Sequence, residues 1–78
     1  MRRPRSRVLN NEKLVSMANQ IAAFFNAYPE ADAVVGLRDH IRLFWTPRMR
    51  RTLDTRIKGS TNGIDPLVLR ALAPTQAP

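Results

Sequence analysis

The stretch NEKLVSMANQIAAFFNAYPEADAVVGLRDHIRLF, residues 11–44, decides the fold because two helical patterns meet in it at one proline. In its first half, apolar residues recur at spacings of three and four, which is the period of one helix face. This pattern predicts a first helix over about residues 11–27, with Asn10 as its N-terminal cap. The apolar residues of this face are Leu14, Met17, Ala18, Ile21, Phe24, Phe25 and Tyr28.

Pro29 separates the first helical pattern from the second. Tyr28 precedes it, and a residue before proline is disfavoured in the α conformation. Pro29 itself suits the first turn of a following helix, which the pattern predicts over about residues 30–44. So short a link favours an antiparallel helical hairpin. The predicted apolar face of the second helix is Val34, Leu37, Ile41 and Phe44, with Trp45 at its edge.

Two shorter helices are predicted after the hairpin. Thr46-Pro47 and Asp65-Pro66 each place a capping side chain before a proline at the first helical position. These pairs predict a third helix over about residues 47–58, with Gly59 as its C-terminal cap, and a fourth that reaches about Leu72. No segment alternates with period two, so the predicted fold class is all-α.

The length of 78 residues limits the chain to one domain. Residues 1–9 hold four arginines and few groups to bury, so we expect a basic flexible tail there. Residues 10–73 are expected to form the single helical domain, and residues 74–78 a flexible C-terminal tail. A core this small is often marginal alone, and the absence of cysteine excludes disulfides. We therefore expect stability to come partly from association with a partner.

Charge in this sequence is abundant but unevenly placed. The net charge is +7, which raises the expectation of an acidic partner. From Leu14 to Tyr28, however, no residue is charged, and this resembles the core of an interface, where charge is depleted and aromatics are enriched. The alternative is an ordinary amphipathic helix whose polar side is uncharged. The uncharged back face consists of Val15, Ser16, Asn19, Gln20, Ala22, Ala23 and Asn26.

Seven residues are the predicted partner contacts. The aromatic ones would bury apolar surface, and the arginines would pair with carboxylates. Trp45 has the alternative of a core position, and the arginines that of a solvated basic face. Phe44 is expected inside the core, which argues against an open stacking platform for single-stranded nucleic acid. The predicted contacts are Phe24, Phe25, Tyr28, Trp45, Arg48, Arg50 and Arg51.

No catalytic constellation is evident in the sequence. His40 is read as a structural histidine, and KGSTNG at residues 58–63 lacks the spacing of a phosphate-binding loop. No nucleophile stands with a base, and one histidine with six scattered acids gives no metal cluster. We therefore predict no catalytic, cofactor-binding or metal-binding residue, and a protein that is not an enzyme on its own. No apolar run reaches the ~20 residues of a membrane span, so we predict a cytoplasmic protein without a membrane partner.

The segment MANQIAAFFNAYPEADAVVGLRDHIRLFWTPRMR, residues 17–50, resembles the delta subunit of the soluble NAD-dependent molybdenum-containing formate dehydrogenases. The helix MANQIAAFF, the YP break and the block HIRLFWTPRMR stand in the family's order and at similar spacing. The segment IDPLVLRAL fits the family's closing segment, so the resemblance covers about residues 14–72. Thr46 stands where the family often has an acid, and it caps a helix equally well.

The resemblance implies a role within a larger enzyme. Such an enzyme oxidises formate at a molybdenum bis-pterin cofactor in its large alpha subunit, and electrons pass through iron–sulfur clusters to FMN and NAD in other subunits. The delta subunit would be a non-catalytic accessory piece that supports assembly or stability of the large subunit, and it would hold none of these cofactors. The alternative function, which charge alone favours, is a small basic helical protein that binds nucleic acid.

Overall fold

The computed structural model describes residues 10–73, and among these the chain forms four α-helices and no strand. The predicted all-α class, with a helical hairpin and two shorter helices, is confirmed. The flexible tails predicted at residues 1–9 and 74–78 lie outside the described residues. The helices are α1 (Asn11–Phe25), α2 (Glu30–Phe44), α3 (Pro47–Gly59) and α4 (Pro66–Leu72).

Side-chain caps start three of the four helices, as predicted. The side chains of Asn10, Thr46 and Asp65 each accept a hydrogen bond from a backbone N–H two or three residues further on, at 2.8, 3.1 and 2.8 Å. Such caps satisfy N–H groups that the first helical turn leaves without partners. Polar residues in the sequence therefore set where α1, α3 and α4 begin.

Two helix ends differ from the prediction. α1 ends at Phe25 rather than near residue 27, and Gly59 is the last residue of α3 rather than its cap. Ser60 is the C-cap, since its N–H still reaches Arg56 O at 3.0 Å. The guanidinium of Arg56 then donates to the carbonyl oxygens of Ser60 and Asn62, which holds the chain beyond the helix. A left-handed glycine is therefore not needed at this end, and Gly63, with φ of 77°, supplies the positive φ later in the loop.

The core receives a large buried side chain from every helix. α1 lies at the centre, in contact with α2, α3 and α4. Because α1 is covered from several sides, Val15 and Ala22 are buried, whereas the prediction placed them on an uncharged back face. Packing within the chain therefore accounts for part of the missing charge on α1. The largest fully buried side chains are Leu14, Leu37, Ile41, Leu53 and Val68.

Asn19 connects α1 to the loop before α4. Its Nδ2 donates to Gly63 O at 2.8 Å, and its Oδ1 accepts from Asp65 N at 2.9 Å. A side-chain amide that uses both its donor and its acceptor holds the loop at one position. Asn19 was also part of the predicted back face, and the structure assigns it an internal role instead.

Candidate partner-binding surface

The exposed large apolar side chains lie mostly on the helical hairpin. Phe24 of α1 is 62% exposed, and Leu43 and Phe44 at the end of α2 are 76% and 70% exposed. Tyr28 and Val35 are about half exposed. Burying such side chains against another surface is favourable, at about 25 cal/mol per Å² of apolar area. The hairpin therefore presents surface that a partner could cover.

An open groove of about 510 Å³ lies where the hairpin meets the start of α3. Trp45 closes its floor, since this side chain is only 6% exposed. Among residues 10–73, no Lys, Arg, Asp or Glu lines this groove. It is therefore suited to apolar side chains rather than to phosphate. We call it the hairpin groove; its lining residues are Met17, Gln20, Ile21, His40, Phe44, Trp45 and Met49.

An aromatic cluster of Phe24, Phe25 and Tyr28 stands at the end of α1. The rings of Phe24 and Phe25 are edge-to-face, with centroids 5.0 Å apart and planes at 85°. Tyr28 lies 5.8 and 5.9 Å from them. Phe25 is half-buried, while Phe24 and Tyr28 are exposed. The structure thus brings three of the predicted contact residues together, with Phe25 supporting the outer two.

Phe44 and Trp45 exchange the positions expected for them. Phe44 was predicted inside the core but is exposed, with its ring centroid 4.8 Å from that of His40. Trp45, predicted as a partner contact with a core position as the alternative, is buried. The reason is that α2 ends at Phe44, and the extended backbone of Trp45 (φ −98°, ψ 145°) leaves the helical register. Trp45 can therefore support the hairpin groove, whereas Phe44 is an exposed apolar residue that the helical period had placed in the core.

The three arginines predicted as partner contacts have different surroundings. Arg50 Nη1 donates to the carbonyl oxygens of Arg42 and Trp45, both at 3.3 Å, so it satisfies the C-terminal end of α2. Arg50 and Arg51 both line a second depression, together with Pro47, Asp54 and Leu72. Arg48 is exposed at the start of α3 and is not among the residues that line this depression. The structure therefore brings together two of the three predicted arginines.

Ion pairs within the chain neutralise part of the remaining charge. Arg56 contacts Glu12 at 2.9 Å, and Lys58 contacts Asp54 at 3.3 Å, the latter as the sequence spacing predicted. Arg42 with Asp39 and Arg70 with Glu30 complete the pairs found among residues 10–73. Each exposed pair contributes at most about 1 kcal/mol. Their main effect is that these surface acids are already paired, so the remaining cations can pair with acids of a partner.

Neither a metal site nor a membrane span occurs in the described part of the chain. Within residues 10–73, no three His, Asp or Glu side chains come together as ligands for an ion. The helices there are too short or too polar to cross a bilayer. His40 lines the hairpin groove beside Phe44, with no acid close enough to form a dyad.

Comparison with known proteins assigns the chain to a family. The family model described as NADH-dependent formate dehydrogenase delta subunit, FdsD, matches residues 13–72, which is nearly all of the helical region. No curated protein and no solved structure matches the chain. The matched residues include all of the hairpin groove and the aromatic cluster. The chain therefore belongs to the FdsD family, the delta subunits of NADH-dependent formate dehydrogenase.

Proposed function

We propose that this delta subunit is a non-catalytic accessory subunit that binds the large, formate-oxidising alpha subunit of a cytoplasmic complex. The observation that carries the proposal is the exposed apolar surface formed by the hairpin groove and the aromatic cluster. Phe24 of the cluster and Phe44 of the groove are each more than 60% exposed. Exposed large apolar side chains around an open groove are typical of a protein–protein contact.

The proposed contact has apolar anchors and a rigid support. Phe24 and Phe44 would enter the partner's surface, since large aromatic side chains carry much of the energy of such interfaces. Phe25 and Trp45 would hold these anchors in place from below. A partner that binds only the folded large subunit stabilises it by mass action. Support of assembly or stability therefore needs no chemistry in this chain.

The cofactors of the proposed complex fit the other subunits better than this one. Iron–sulfur clusters are held mainly by cysteine thiolates, and this sequence has no cysteine. The described residues that line the hairpin groove include no charged or metal-ligating cluster that would hold a molybdenum bis-pterin cofactor, FMN or NAD. We therefore assign no electron-transfer or formate-oxidising step to this chain.

Co-expression tests the proposal directly. The tagged chain is produced with the large subunit alone, with the remaining subunits alone, and with all of them. We expect the large subunit to co-elute in the first case and to be absent from controls without the tagged chain. Elution with the remaining subunits but not with the large one would contradict the proposed partner.

The accessory role is tested by leaving this chain out. Without it, we expect less molybdenum bound per large subunit or a shorter lifetime of that subunit. The formate-oxidation rate per bound molybdenum should stay unchanged, because the chain supplies no reacting group. A loss of rate per molybdenum, with full molybdenum content, would argue for a catalytic contribution.

A further inference from the structure

We infer that the partner segment seated in the hairpin groove is an amphipathic helix with carboxylates flanking its apolar side, and that these carboxylates pair with Lys13 and Arg48. This inference rests on the proposed function and specifies the chemistry of its partner. Three observations carry it: the unpaired charges around the groove, their placement on helical rows, and the apolar lining.

The exposed cations near the groove have no acid of their own. Glu12, Glu30, Asp39 and Asp54 are each in an ion pair within the chain. Among residues 10–73, no carboxylate lies within ion-pair distance of Lys13 or Arg48. A surface with unpaired cations favours a partner that presents carboxylates, and steers its approach.

Lys13 stands at the start of the row of α1 that lines the groove. Lys13, Met17, Gln20 and Phe24 follow one another at spacings of four, three and four, so they share one helix face. Met17 and Gln20 line the hairpin groove, and Lys13 is exposed one turn before them. The Lys13 ammonium therefore stands at one end of the groove.

Arg48 stands beside the groove on α3. It immediately precedes Met49, which lines the groove. It also begins the row Arg48, Thr52, Arg56 of α3, at spacings of four, and Arg56 contacts Glu12 of α1. This row therefore runs along the side of α3 that faces α1.

The other end of the hairpin carries the opposite charge. Asp32, Gly36 and His40 form one row of α2; His40 lines the groove and Gly36 lies against Phe25. Asp32 is exposed one turn beyond Gly36 and has no ion-pair partner among the described residues. A carboxylate on the partner is therefore favoured at the Lys13 end and disfavoured at the Asp32 end.

The shape and lining of the groove determine which other side chains the partner helix should have. Two antiparallel helices with an apolar channel between them form a surface on which a third helix can lay its apolar side. The floor is set by Trp45, and the rim by Phe44 and Met17. A helix with large apolar side chains at spacings of three and four, and Asp or Glu one turn away, matches both features.

Photo-crosslinking tests the chemistry of the partner. A photoreactive amino acid replaces Gln20 in the full chain, and the purified complex is irradiated and digested. We expect a crosslinked peptide from the large subunit with a large apolar residue and Asp or Glu within one helical turn of it. A peptide that lacks any carboxylate there overturns the inference, and so does a peptide from a second copy of this chain.

Charge reversal tests the two named cations. Lys13→Glu and Arg48→Glu lie in the first turns of α1 and α3, where an acid suits the helix dipole, so the fold should tolerate both. Together they should weaken binding to the large subunit by about tenfold and flatten its dependence on salt. The control is Lys58→Glu, an exposed reversal in the last turn of α3 that breaks only the surface pair with Asp54. A thermal melt checks its fold, and it should change binding by less than about twofold.

Comparing the double charge reversal with an apolar variant, Phe44→Gln, distinguishes failure of this inference from failure of the proposed function. If Phe44→Gln lowers binding while the double charge reversal leaves it unchanged, the inference fails and the proposed function stands. If neither change affects binding, the hairpin groove is not the contact surface, and the proposed function fails in its stated form.

Discussion

The ring of Phe25 occupies the space that a side chain at Gly36 would need. A Cβ atom on Gly36 would lie 2.5 Å from Cε1 and 2.8 Å from Cδ1 of Phe25, closer than such atoms approach in proteins. The absence of a side chain at this position therefore lets the end of α1 approach α2 closely. Phe25 in turn supports Phe24 and Tyr28, so one glycine sets the position of the aromatic cluster.

Gly36→Ala should move the aromatic cluster without unfolding the chain. Overpacking costs about 1–3 kcal/mol, and the better helix propensity of alanine returns up to about 1 kcal/mol. We expect a small net loss in the free energy of unfolding, together with changed ring chemical shifts of Phe24, Phe25 and Tyr28. Chemical denaturation and NMR of the full chain measure both effects.

Gly59→Ala is the matched control for that substitution. Gly59 is also helical, but a Cβ atom there meets nothing within 4 Å. The free energy of unfolding should therefore stay unchanged or rise by up to about 1 kcal/mol, with the aromatic shifts unmoved. Equal effects of the two substitutions would show that contact with Phe25 does not constrain position 36.

Asn19→Ala should destabilise the loop between α3 and α4. It removes two hydrogen bonds, to Gly63 O and from Asp65 N, and leaves the half-buried Asp65 N–H without its acceptor. We expect a loss of about 1–3 kcal/mol in the free energy of unfolding, measured by urea denaturation. Asn26→Ala removes one longer, exposed bond of 3.3 Å to Asp65 and should cost less. A larger loss in the free energy of unfolding for Asn26→Ala than for Asn19→Ala would argue against the internal role of Asn19.

Arg50 should matter for stability rather than chiefly for partner binding. Arg50→Met removes donors from the carbonyl oxygens of Arg42 and Trp45, and we expect a loss of about 1–2 kcal/mol in the free energy of unfolding. Arg51→Met removes an exposed cation and should change it by less than about 0.5 kcal/mol. Thermal unfolding by circular dichroism distinguishes them. Equal stability of both variants would contradict a stabilising role for the hydrogen bonds of Arg50.

Generic nucleic acid should bind the chain only weakly. The net charge of +7 attracts phosphates, but the described lining of the hairpin groove includes no Lys or Arg, and several surface cations are already paired. We expect weak retention in a gel-shift titration that disappears between low and physiological salt. Tight binding that survives physiological salt would instead favour the nucleic-acid-binding alternative.

Local rules were sufficient to predict the helices. The side chains of Asn10, Thr46 and Asp65 cap helices as their positions indicated, because capping depends only on neighbouring residues. The break at Pro29 and the pair of Asp54 with Lys58 follow for the same reason. Caps, proline breaks and ion pairs within one helix can therefore be predicted from a single sequence.

The candidate contact surface was only partly predictable. Phe24 and Tyr28 were predicted as partner contacts and are exposed, but Phe44 was assigned to the core from helical period alone. That period stops where α2 ends, so which of Phe44 and Trp45 turns inward depends on the chain's path into α3. The roles of Asn19 and Arg50 depend on residues far along the chain or on carbonyl groups of another helix. No spacing rule indicates such contacts.

The most direct test of the account is binding of the variant Phe24→Gln with Phe44→Gln to the large subunit. Both side chains are mostly exposed, so the free energy of unfolding should fall by no more than about 1 kcal/mol. The control is Val35→Gln, which replaces a half-exposed apolar residue of α2 outside the hairpin groove.

The measurement is the amount of chain that co-purifies with the large subunit, alongside a thermal melt of each variant. We expect the double variant to be folded but lost from the complex, while Val35→Gln is retained at the wild-type level. A folded double variant that co-purifies as well as the wild type would contradict the claim that the large subunit covers the hairpin groove and the aromatic cluster.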